Sequence, residues 1–271
     1  MKEMLYDINS LAIASSLFVS MAVAIECGFR IGRRPAIKAN DASKAQVSAI
    51  QSSLLGILAL LLGFTFSQSL QRFDARSNAV LDESNAIHNA FIRADLLPQE
   101  SQLKAKQLLI AYTNNRTEAG NVSMVNEDKR ESFVTEAKEL QNQLWILATE
   151  IQTSTAGAIR TGSFTDAIGK LMQVFHVRDS ALNRHVPEIV LMLLYGTFLM
   201  TGSIVGYVSG LSGTRTTYSA YVMVALIVSL VFVIVDLDRP RRGLIEIDQS
   251  PILNLQADMA DYARTLEQPK N

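Results

Sequence analysis

Two uncharged apolar stretches in the second half of the chain constrain its fold more than any other feature. Residues 189–208 and 218–235 contain no Asp, Glu, Lys or Arg. A helix needs about 20 mostly apolar residues to cross a bilayer, so both stretches are predicted to span a membrane. The composition agrees, because 48% of the 271 residues are hydrophobic and only 19% are charged. These values argue against a soluble enzyme and against a disordered chain.

Two further spans are predicted nearer the N-terminus, at about residues 8–29 and 47–70. The first is short enough to suggest a cleaved secretory signal as an alternative. A signal normally has a basic start, but here Lys2 is balanced by Glu3 and Asp7. We therefore interpret the first stretch as a transmembrane span. The second stretch is uncharged, with serines and glutamines at both ends.

The segment between the second and third spans, residues 71–187, is predicted to form a helical bundle, because its apolar residues recur at helical spacing. No Pro or Gly occurs between Gly63 and Pro98, so span two should continue into the bundle as one helix. That helix would have about 50 residues and a length near 75 Å at about 1.5 Å per residue. One stripe of its polar half combines apolar residues with a single carboxylate: Ala79, Glu83, Ala86, Ala90, Ala94 and Leu97.

Local signals predict the other helices of the bundle. Gly120 should end the second helix, Asn126 or Glu127 should begin the third, and Ser163 should cap the fourth. The expected fold is an all-α membrane protein with four transmembrane helices. Its parts are listed in chain order: a hairpin at 1–70, the bundle at 71–187, a second hairpin at 188–237, and a C-terminal tail at 238–271.

Catalytic and nucleic-acid-binding functions find no support in the sequence. It contains no Gly-rich phosphate loop, no histidine pair at metal spacing and no Gly-flanked serine elbow. The formal net charge of −1 argues against nucleic acid as a partner. We interpret His88, His176 and His185 as solvated or capping residues. No catalytic residue, metal ligand or cofactor is therefore predicted, and the protein is not expected to be an enzyme.

Span two carries a stripe of small side chains at a spacing of three to four residues. It consists of Ser52, Gly56, Ala59, Gly63 and Ser67, with Phe66 beside it. Small residues let helices approach closely, and the same residues could line a narrow path for ions or water. Close packing is the favoured interpretation, and pore lining is the alternative. A second ridge on span three, Gly202, Gly206 and Gly210, is interpreted as a packing surface.

Charged residues follow spans two and four. The first cluster is Arg72, Asp74 and Arg76, and the second includes Asp236, Asp238 and Arg239. Such residues often only anchor helix ends at the membrane surface. With four spans, however, both clusters lie at the same membrane face. Ion pairs are then expected, with Arg72 or Arg76 bound to Asp236 or Asp238 and Asp74 bound to Arg239.

Several motifs resemble those of one family. They are LLLGFTFS at 60–67, RFDAR at 72–76, DESNAI at 82–87, RADLLP at 93–98, DLDRP at 236–240 and GFR at 28–30. Together they resemble the bestrophin-like family of bacterial four-span membrane proteins, which is distantly similar to the bestrophin anion channels. That resemblance implies a pentamer of four-span subunits whose second helix lines the pore and continues into a helical cytosolic region. An acidic calcium clasp is not evident, which argues against calcium gating.

Two hypotheses follow. The first is a homo-oligomeric channel for small anions, embedded in a lipid bilayer and expected in the bacterial inner membrane. The second is a non-conducting sensor or scaffold whose bundle binds a ligand or partner. The sequence leaves open on which side of the membrane the bundle lies. The positive-inside rule places the basic loop between spans one and two inside and therefore the bundle outside. The resemblance places the bundle inside.

Overall fold

The computed structural model describes residues 10–34, 41–122, 126–153, 158–184, 186–214, 218–239 and 244–267. Eight α-helices and one short 3₁₀ turn, Ala94–Leu96, account for most of these residues, and no strand occurs among them. The helices are α1 (Ser10–Arg33), α2 (Asp41–Arg93), α3 (Gln99–Asn121), α4 (Glu127–Thr153), α5 (Ala158–Leu182), α6 (Glu188–Leu211), α7 (Tyr218–Asp238) and α8 (Ser250–Glu267). The predicted all-α class is confirmed.

Four of these helices, α1, α2, α6 and α7, are long and apolar enough to cross a membrane. They contain the predicted stretches 47–70, 189–208 and 218–235 and residues 10–29 of the first predicted stretch, whose residues 8 and 9 lie outside the described part of the chain. Large apolar side chains are exposed on them, among them Phe18, Phe64, Met200 and Leu226. In water such surfaces would be costly, whereas in hydrocarbon they are solvated. The protein is therefore an integral membrane protein.

The described helices divide into two compact units. Unit 1 contains α1, α6, α7 and the part of α2 up to Arg72, and unit 2 contains α3, α4, α5, α8 and the part of α2 from Phe73. Helix α2 has 53 residues and no break, which confirms the predicted long helix. No Pro or Gly interrupts it after Gly63, so every backbone amide there can keep its i−4 partner.

Glycines set the packing of α1 against α6 in unit 1. A Cβ at Gly206 would overlap the carbonyl oxygen of Ile25, and one at Gly210 would overlap that of Phe29. The relation is reciprocal, because Cβ atoms at Gly28 and Gly32 of α1 would overlap backbone carbonyls of α6. The two backbones are thus too close for any side chain between them. This confirms the packing role predicted for the ridge on span three.

Unit 2 has its own hydrophobic core. It includes Ile87, Leu109, Leu144, Phe164 and Phe175, all at most 1% exposed. The predicted stripe of α2 faces this core, since Ala79, Glu83, Ala86, Ala90, Ala94 and Leu97 are all buried. Burial of the apolar members does not require the desolvation of a polar side chain. Glu83 needs charged partners in the same core, because an unpaired buried carboxylate is costly.

Three expectations about the bundle helices are settled by local contacts. Asn126 does begin α4, where its Oδ1 accepts the backbone N–H of Lys129 at 3.2 Å. Gly120 does not end α3, which continues to Asn121; a Cβ at Gly120 would lie only 3.2 Å from Oε1 of Gln249. The lack of a Cβ at Gly120 allows the Gln249 side chain to lie close to α3. Ser163 does not cap α5, which begins at Ala158.

The C-terminal segment contains a helix, α8, that the sequence analysis described only as a tail. Ile252, Leu255 and Met259 of α8 are buried in the core of unit 2. Ser84 of α2 donates its hydroxyl to the carbonyl oxygen of Pro251 at 2.9 Å. Helix α8 is therefore an integral part of the bundle.

Candidate functional site

The small-residue stripe of α2 lies on a face that unit 1 does not use for its own packing. Ser52, Gly56, Ala59, Gly63 and Ser67 are all exposed. A Cβ added to Gly56 or Gly63 would meet no atom within 4 Å. Among the described residues of one chain, the favoured close-packing interpretation therefore finds no partner helix on this face.

The other side of the same helix forms the packing surface. Leu58 is 2% exposed and Leu62 is 6% exposed, and both belong to the core of unit 1. Phe66 packs partly against this core, so it does not share the exposed stripe. The burial of one face fixes the rotation of α2 and directs the small residues outward.

Hydroxyl groups on the stripe are partly engaged by the helix itself. Ser52 donates to the carbonyl oxygen of Ser48 at 3.1 Å, and Ser67 Oγ accepts a weak hydrogen bond from Gln71 at 3.5 Å. The small side chains of the stripe, including its serine oxygens, lie on the exposed side of α2. Such a surface can approach another helix or a hydrated ion.

The exposed face of α2 changes character in unit 2. Between Phe73 and Arg93 its exposed residues are Asp74, Ala75, Asn78, Leu81, Asp82, Asn85, His88, Asn89 and Ile92. This set contains two carboxylates and three amides, and it contains no Lys or Arg. The exposed formal charges of this face are therefore both negative.

The charged residues that follow spans two and four meet at one point in unit 1. Nη1 of Arg72 lies 3.5 Å from Oδ1 of Asp238, with side-chain exposures of 24% and 10%. This is an ion-pair distance without an aligned hydrogen bond, and Nη1 has no hydrogen-bond acceptor in the part of the chain that the structure describes. Asp238 also accepts the backbone N–H of Val186 at 3.0 Å. It therefore connects α7 to α2 and to the segment that precedes α6.

The remaining members of the two clusters have other contacts. Asp236 is 1% exposed and accepts the backbone N–H of Ile245 at 2.9 Å. Arg239 lies 3.4 Å from the hydroxyl of Ser10. Arg76 is buried in unit 2, whereas Asp74 is exposed. Each buried member thus has a structural role, in addition to any anchoring.

Arg76 stabilises the C-terminal end of α5. Its Nε donates to the carbonyl oxygen of Ala181 at 3.1 Å, and its Nη2 donates to that of Arg184 at 2.7 Å. The last carbonyls of a helix lack intrahelical donors and carry partial negative charge. The buried guanidinium of Arg76 supplies both hydrogen-bond donors and a positive charge to these carbonyls.

We expect Asp238→Ala to destabilise the protein more than Arg72→Ala does. Removing Asp238 leaves the Val186 amide without its acceptor and the Arg72 guanidinium without its counter-charge, and loss of one partner of a buried pair typically costs about 3 to 5 kcal/mol. Arg72 is partly exposed, so its removal should cost nearer the value of about 1 kcal/mol for exposed pairs. Thermal melting in detergent measures both, with the exposed Asp74→Ala as control. Equal melting temperatures for all three variants would contradict this role.

A buried ionic cluster in unit 2 was not identified from the sequence. Glu83 of α2 is fully buried between two arginines: Oε1 accepts Nε of Arg116 at 2.9 Å, and Oε2 accepts Nη1 of Arg178. Oε1 also accepts the hydroxyl of Tyr112 at 2.7 Å, which in turn accepts Nε2 of Gln141 at 3.1 Å. Helices α2, α3 and α5 thus meet at one carboxylate, and α4 joins the cluster through the Tyr112 hydroxyl.

The electrostatics of the cluster favour ionised Glu83. Burial alone would raise the pKa of Glu83, but the guanidinium groups of Arg116 and Arg178 outweigh it and lower the pKa from 4.5 to about 2. Burial and the Glu83 charge raise the pKa of Tyr112 well above its ordinary value. Tyr112 therefore stays protonated as a donor. The one signal in the sequence was a carboxylate within an apolar helical stripe.

Comparison with known proteins decides the family. The sequence matches the family model of the Bestrophin-like domain over residues 18–252. The chain belongs to the bestrophin-like family. The resemblance inferred from the sequence motifs is thereby confirmed. The match runs from α1 into α8, so this bestrophin-like chain carries the family domain over both units.

Two solved structures share the fold of this bestrophin-like chain. One is a bacterial bestrophin homologue from Klebsiella pneumoniae with a single substitution, with a TM-score of 0.65, 16% identity, and coverage of 92% of this chain and 99% of that one. The other is a membrane protein with a TM-score of 0.59, 15% identity, and coverage of 91% and 98%. At these identities the likeness establishes the fold alone. No curated protein sequence matches the chain.

Proposed function

We propose that the protein forms a homo-oligomeric channel in the bacterial inner membrane, with the small-residue stripe of α2 facing a shared central path. The observation that carries this proposal is the exposure of the whole stripe, while the opposite face of α2 packs into unit 1. Membership of the bestrophin-like family supports a channel, and the resemblance to the bestrophin anion channels suggests which ions it conducts. Small anions are accordingly the first ions to test, and no catalytic role is proposed.

Exposed apolar residues outside the spans support an oligomer. In unit 2, Leu81, Ile92, Trp145, Ile146 and Val177 are each between 39% and 53% exposed. Large apolar side chains on a surface that water would otherwise cover commonly mark protein interfaces. Leu81 and Ile92 lie on α2. If the α2 helices of several copies surround a central path, α2 also lies at the contact between neighbouring copies.

Replacing Gly56 with leucine should abolish or strongly reduce ion flux. A Cβ at this position meets no atom of the described residues within 4 Å, so one subunit should tolerate leucine, whereas a ring of leucines would narrow a shared path. Flux of small anions into liposomes measures the effect. Gly162→Leu is the matched control, because a Cβ there also meets nothing within 4 Å and the residue lies on α5.

Two results would distinguish a channel lined by the stripe from a non-conducting protein. A Gly56→Leu oligomer with wild-type flux would exclude the stripe as pore lining. No flux from wild type under any anion gradient would favour a non-conducting sensor or scaffold, particularly if the purified protein has no fixed stoichiometry in detergent.

Asp74 is expected to influence which ions pass. If α2 faces the path, Asp74 places a carboxylate there, and a unit charge a few Å from an ion contributes about 1 kcal/mol in water. Asp74→Asn should then shift the permeability ratio toward anions by roughly fivefold. Reversal potentials in planar bilayers measure the ratio, with the exposed Asp166→Asn of α5 as control. An unchanged ratio would place Asp74 outside the conducting path.

A further inference from the structure

Arg178 of α5 carries a buried N–H group that no described residue accepts. The residue is 1% exposed. Its Nη1 donates to Oε2 of Glu83 and its Nη2 donates to Oε1 of Gln249 at 3.0 Å, whereas its Nε has no hydrogen-bond acceptor among the described residues. Leaving a buried donor without an acceptor costs free energy, and the cost is larger for a charged group. Such groups in folded proteins are normally bound by another protein group, an ordered water or an ion.

A second buried polar group lies on a neighbouring helix of unit 2. Thr117 of α3 is 8% exposed, and its Oγ1 has no hydrogen-bond partner in the described part of the chain. Thr117 precedes Gly120 by three residues, so both lie on one face of α3. That face lies close to Gln249, because a Cβ at Gly120 would be 3.2 Å from Oε1 of Gln249. The residue that accepts Nη2 of Arg178 therefore lies beside the Thr117 face of α3.

The shape of the guanidinium directs Nε of Arg178 toward the same region. The N–H donors of an arginine lie in one plane in a fixed fork, and Nε shares an edge of that plane with Nη2. Because Nη2 points to Gln249, an acceptor for Nε lies next to Gln249, between α5 and α3. An occupant of this place can accept both the Nε–H of Arg178 and the hydroxyl of Thr117.

The local charge favours an anion over water at this place. In the buried cluster the positive charges of Arg116 and Arg178 face the single negative charge of Glu83, which leaves one positive charge over. The ring centre of Phe175 lies 5.0 Å from Cζ of Arg116, and an aromatic face stabilises a cation. Arg178 has the neutral amide of Gln249 as its other partner. A buried charge without compensation is costly, and a monovalent anion removes that cost whereas water does not.

The nearest acidic residues do not supply the missing charge. Asp179 interacts electrostatically with Arg116, but it is partly exposed, so water and salt weaken its effect. Asp248, which precedes α8, is exposed and accepts the backbone N–H and the hydroxyl of Ser250 at 2.8 and 2.6 Å. Neither carboxylate accepts Nε of Arg178.

We propose that unit 2 binds one small monovalent anion of the chloride class, held by Nε of Arg178 and the hydroxyl of Thr117 beside Gln249. The anion supplies an acceptor for both groups and balances the remaining positive charge. A monatomic ion suits the place, because Gly120 and Gln249 already lie in close contact. Gln249 immediately precedes α8, so the anion also strengthens the attachment of α8 to α3 and α5.

Melting in defined anions tests the site. The full-length protein in detergent is heated in potassium chloride or in potassium gluconate of equal ionic strength, and Trp145 fluorescence reports unfolding of unit 2. An ion that binds only the folded state stabilises it by mass action. The melting temperature of wild type should therefore be several degrees higher in chloride than in gluconate, and the rise should saturate as the chloride concentration increases.

Thr117→Val isolates the contribution of the hydroxyl, because the two side chains have nearly the same shape. In gluconate this variant should melt no lower than wild type, since it replaces a buried hydroxyl that lacks a partner among the described residues. In chloride its melting temperature should rise much less than that of wild type, because the anion has lost one donor. Thr117→Ser keeps the hydroxyl and should keep the rise. Thr135→Val on the exposed side of α4 is the matched control.

A direct search for the ion completes the test. Crystals grown in bromide should show one anomalous peak beside Nε of Arg178. Equal melting of wild type in chloride and gluconate would overturn the proposal, as would a water at Nε without a bromide peak. An equal chloride-dependent rise in Thr117→Val and wild type would also overturn it, because the chloride would then act elsewhere.

The site is independent of the proposed conducting path, because it contains no residue of the small-residue stripe on α2. Gly56→Leu, which should block that path, is expected to keep the full rise of melting temperature in chloride. Loss of the rise in Gly56→Leu would place the stabilising anion in the path and would overturn the site in unit 2. None of these readouts measures ion flux, so failure of the channel proposal leaves the test intact.

Discussion

Replacing Gly206 with leucine is expected to separate α1 from α6 and to destroy the packing of unit 1. At this position a Cβ would lie 2.7 Å from the carbonyl carbon of Ile25 and 2.9 Å from its Cα. These are backbone atoms, which cannot rotate away as the end of a side chain can. Overpacking usually costs about 1 to 3 kcal/mol, and an obstructed backbone should exceed that range. Size-exclusion chromatography after heating in detergent should show loss of the assembled peak at a much lower temperature.

A matched glycine on the same helix provides the control. A Cβ at Gly196 meets no atom within 4 Å, so Gly196→Ala should leave the melting temperature close to that of wild type. Both variants replace a glycine of α6 by a good helix former, so their gains in helix propensity are similar and a large difference between them reflects the contacts of the new side chain. If Gly206→Leu melted together with wild type, the close approach of α1 and α6 would be wrong.

The apolar spans and the long second helix could be predicted because their determinants are local. A span requires only a sufficient length of uncharged apolar residues, and an uninterrupted helix requires only the absence of Pro and Gly. The buried stripe of α2 was visible as well, since its residues recur at helical spacing. In each case the relevant residues are neighbours in sequence or in one helix.

Partner identity was harder to predict, because it depends on contacts between distant segments. Glu83 appeared as a carboxylate within an apolar stripe, but its partners Arg116 and Arg178 lie 33 and 95 residues away. The sequence suggested Arg76 as a partner of carboxylates in the C-terminal cluster. Instead Arg76 donates to backbone carbonyl oxygens at the end of α5. Every residue has such an oxygen, so the sequence does not mark these as the partners of Arg76.

Helix α8 was missed for a related reason. Its buried residues Ile252, Leu255 and Met259 recur at helical spacing, but the segment is short and about half polar. Most of the stability of such a helix comes from tertiary packing of its apolar face and not from helix propensity. Contacts with unit 2, such as that between Gln256 and Asn114 at 2.9 Å, add to its stability only in the folded bundle. Local pattern alone could not distinguish such a helix from a tail.

Replacing Glu83 with glutamine is expected to destabilise the bundle strongly. The substitution keeps the shape of the side chain but leaves Arg116 and Arg178 without a counter-charge in a core where Glu83 is 0% exposed. Breaking a buried ionic cluster in this way typically costs about 3 to 5 kcal/mol. The single tryptophan, Trp145 of α4, lies in unit 2, so its fluorescence reports unfolding of the bundle.

Two further variants distinguish charge imbalance from loss of packing. Asp82→Asn neutralises the neighbouring exposed carboxylate of α2 and should leave the unfolding transition nearly unchanged. The triple replacement Glu83→Leu, Arg116→Met and Arg178→Met removes all three charges together. Because apolar residues of similar volume can replace a buried ionic cluster at little cost, this protein should be more stable than Glu83→Gln. If the triple variant were the less stable, the charges themselves would be a net source of stability.

Acid should reproduce the effect of Glu83→Gln over a defined pH window. The pKa of Glu83 is about 2 in the folded protein and 4.5 ordinarily, so the unfolded chain binds the proton first as the pH falls. The stability from this carboxylate is complete above pH 4.5 and is lost progressively down to about pH 2. A shift of this size corresponds to about 3 kcal/mol, as an order of magnitude. Denaturation followed by Trp145 fluorescence should therefore show a steeper loss of stability below pH 4.5 in wild type than in Glu83→Gln, which lacks the titrating group. Parallel pH profiles for the two proteins would mean that Glu83 is not held ionised by its arginines.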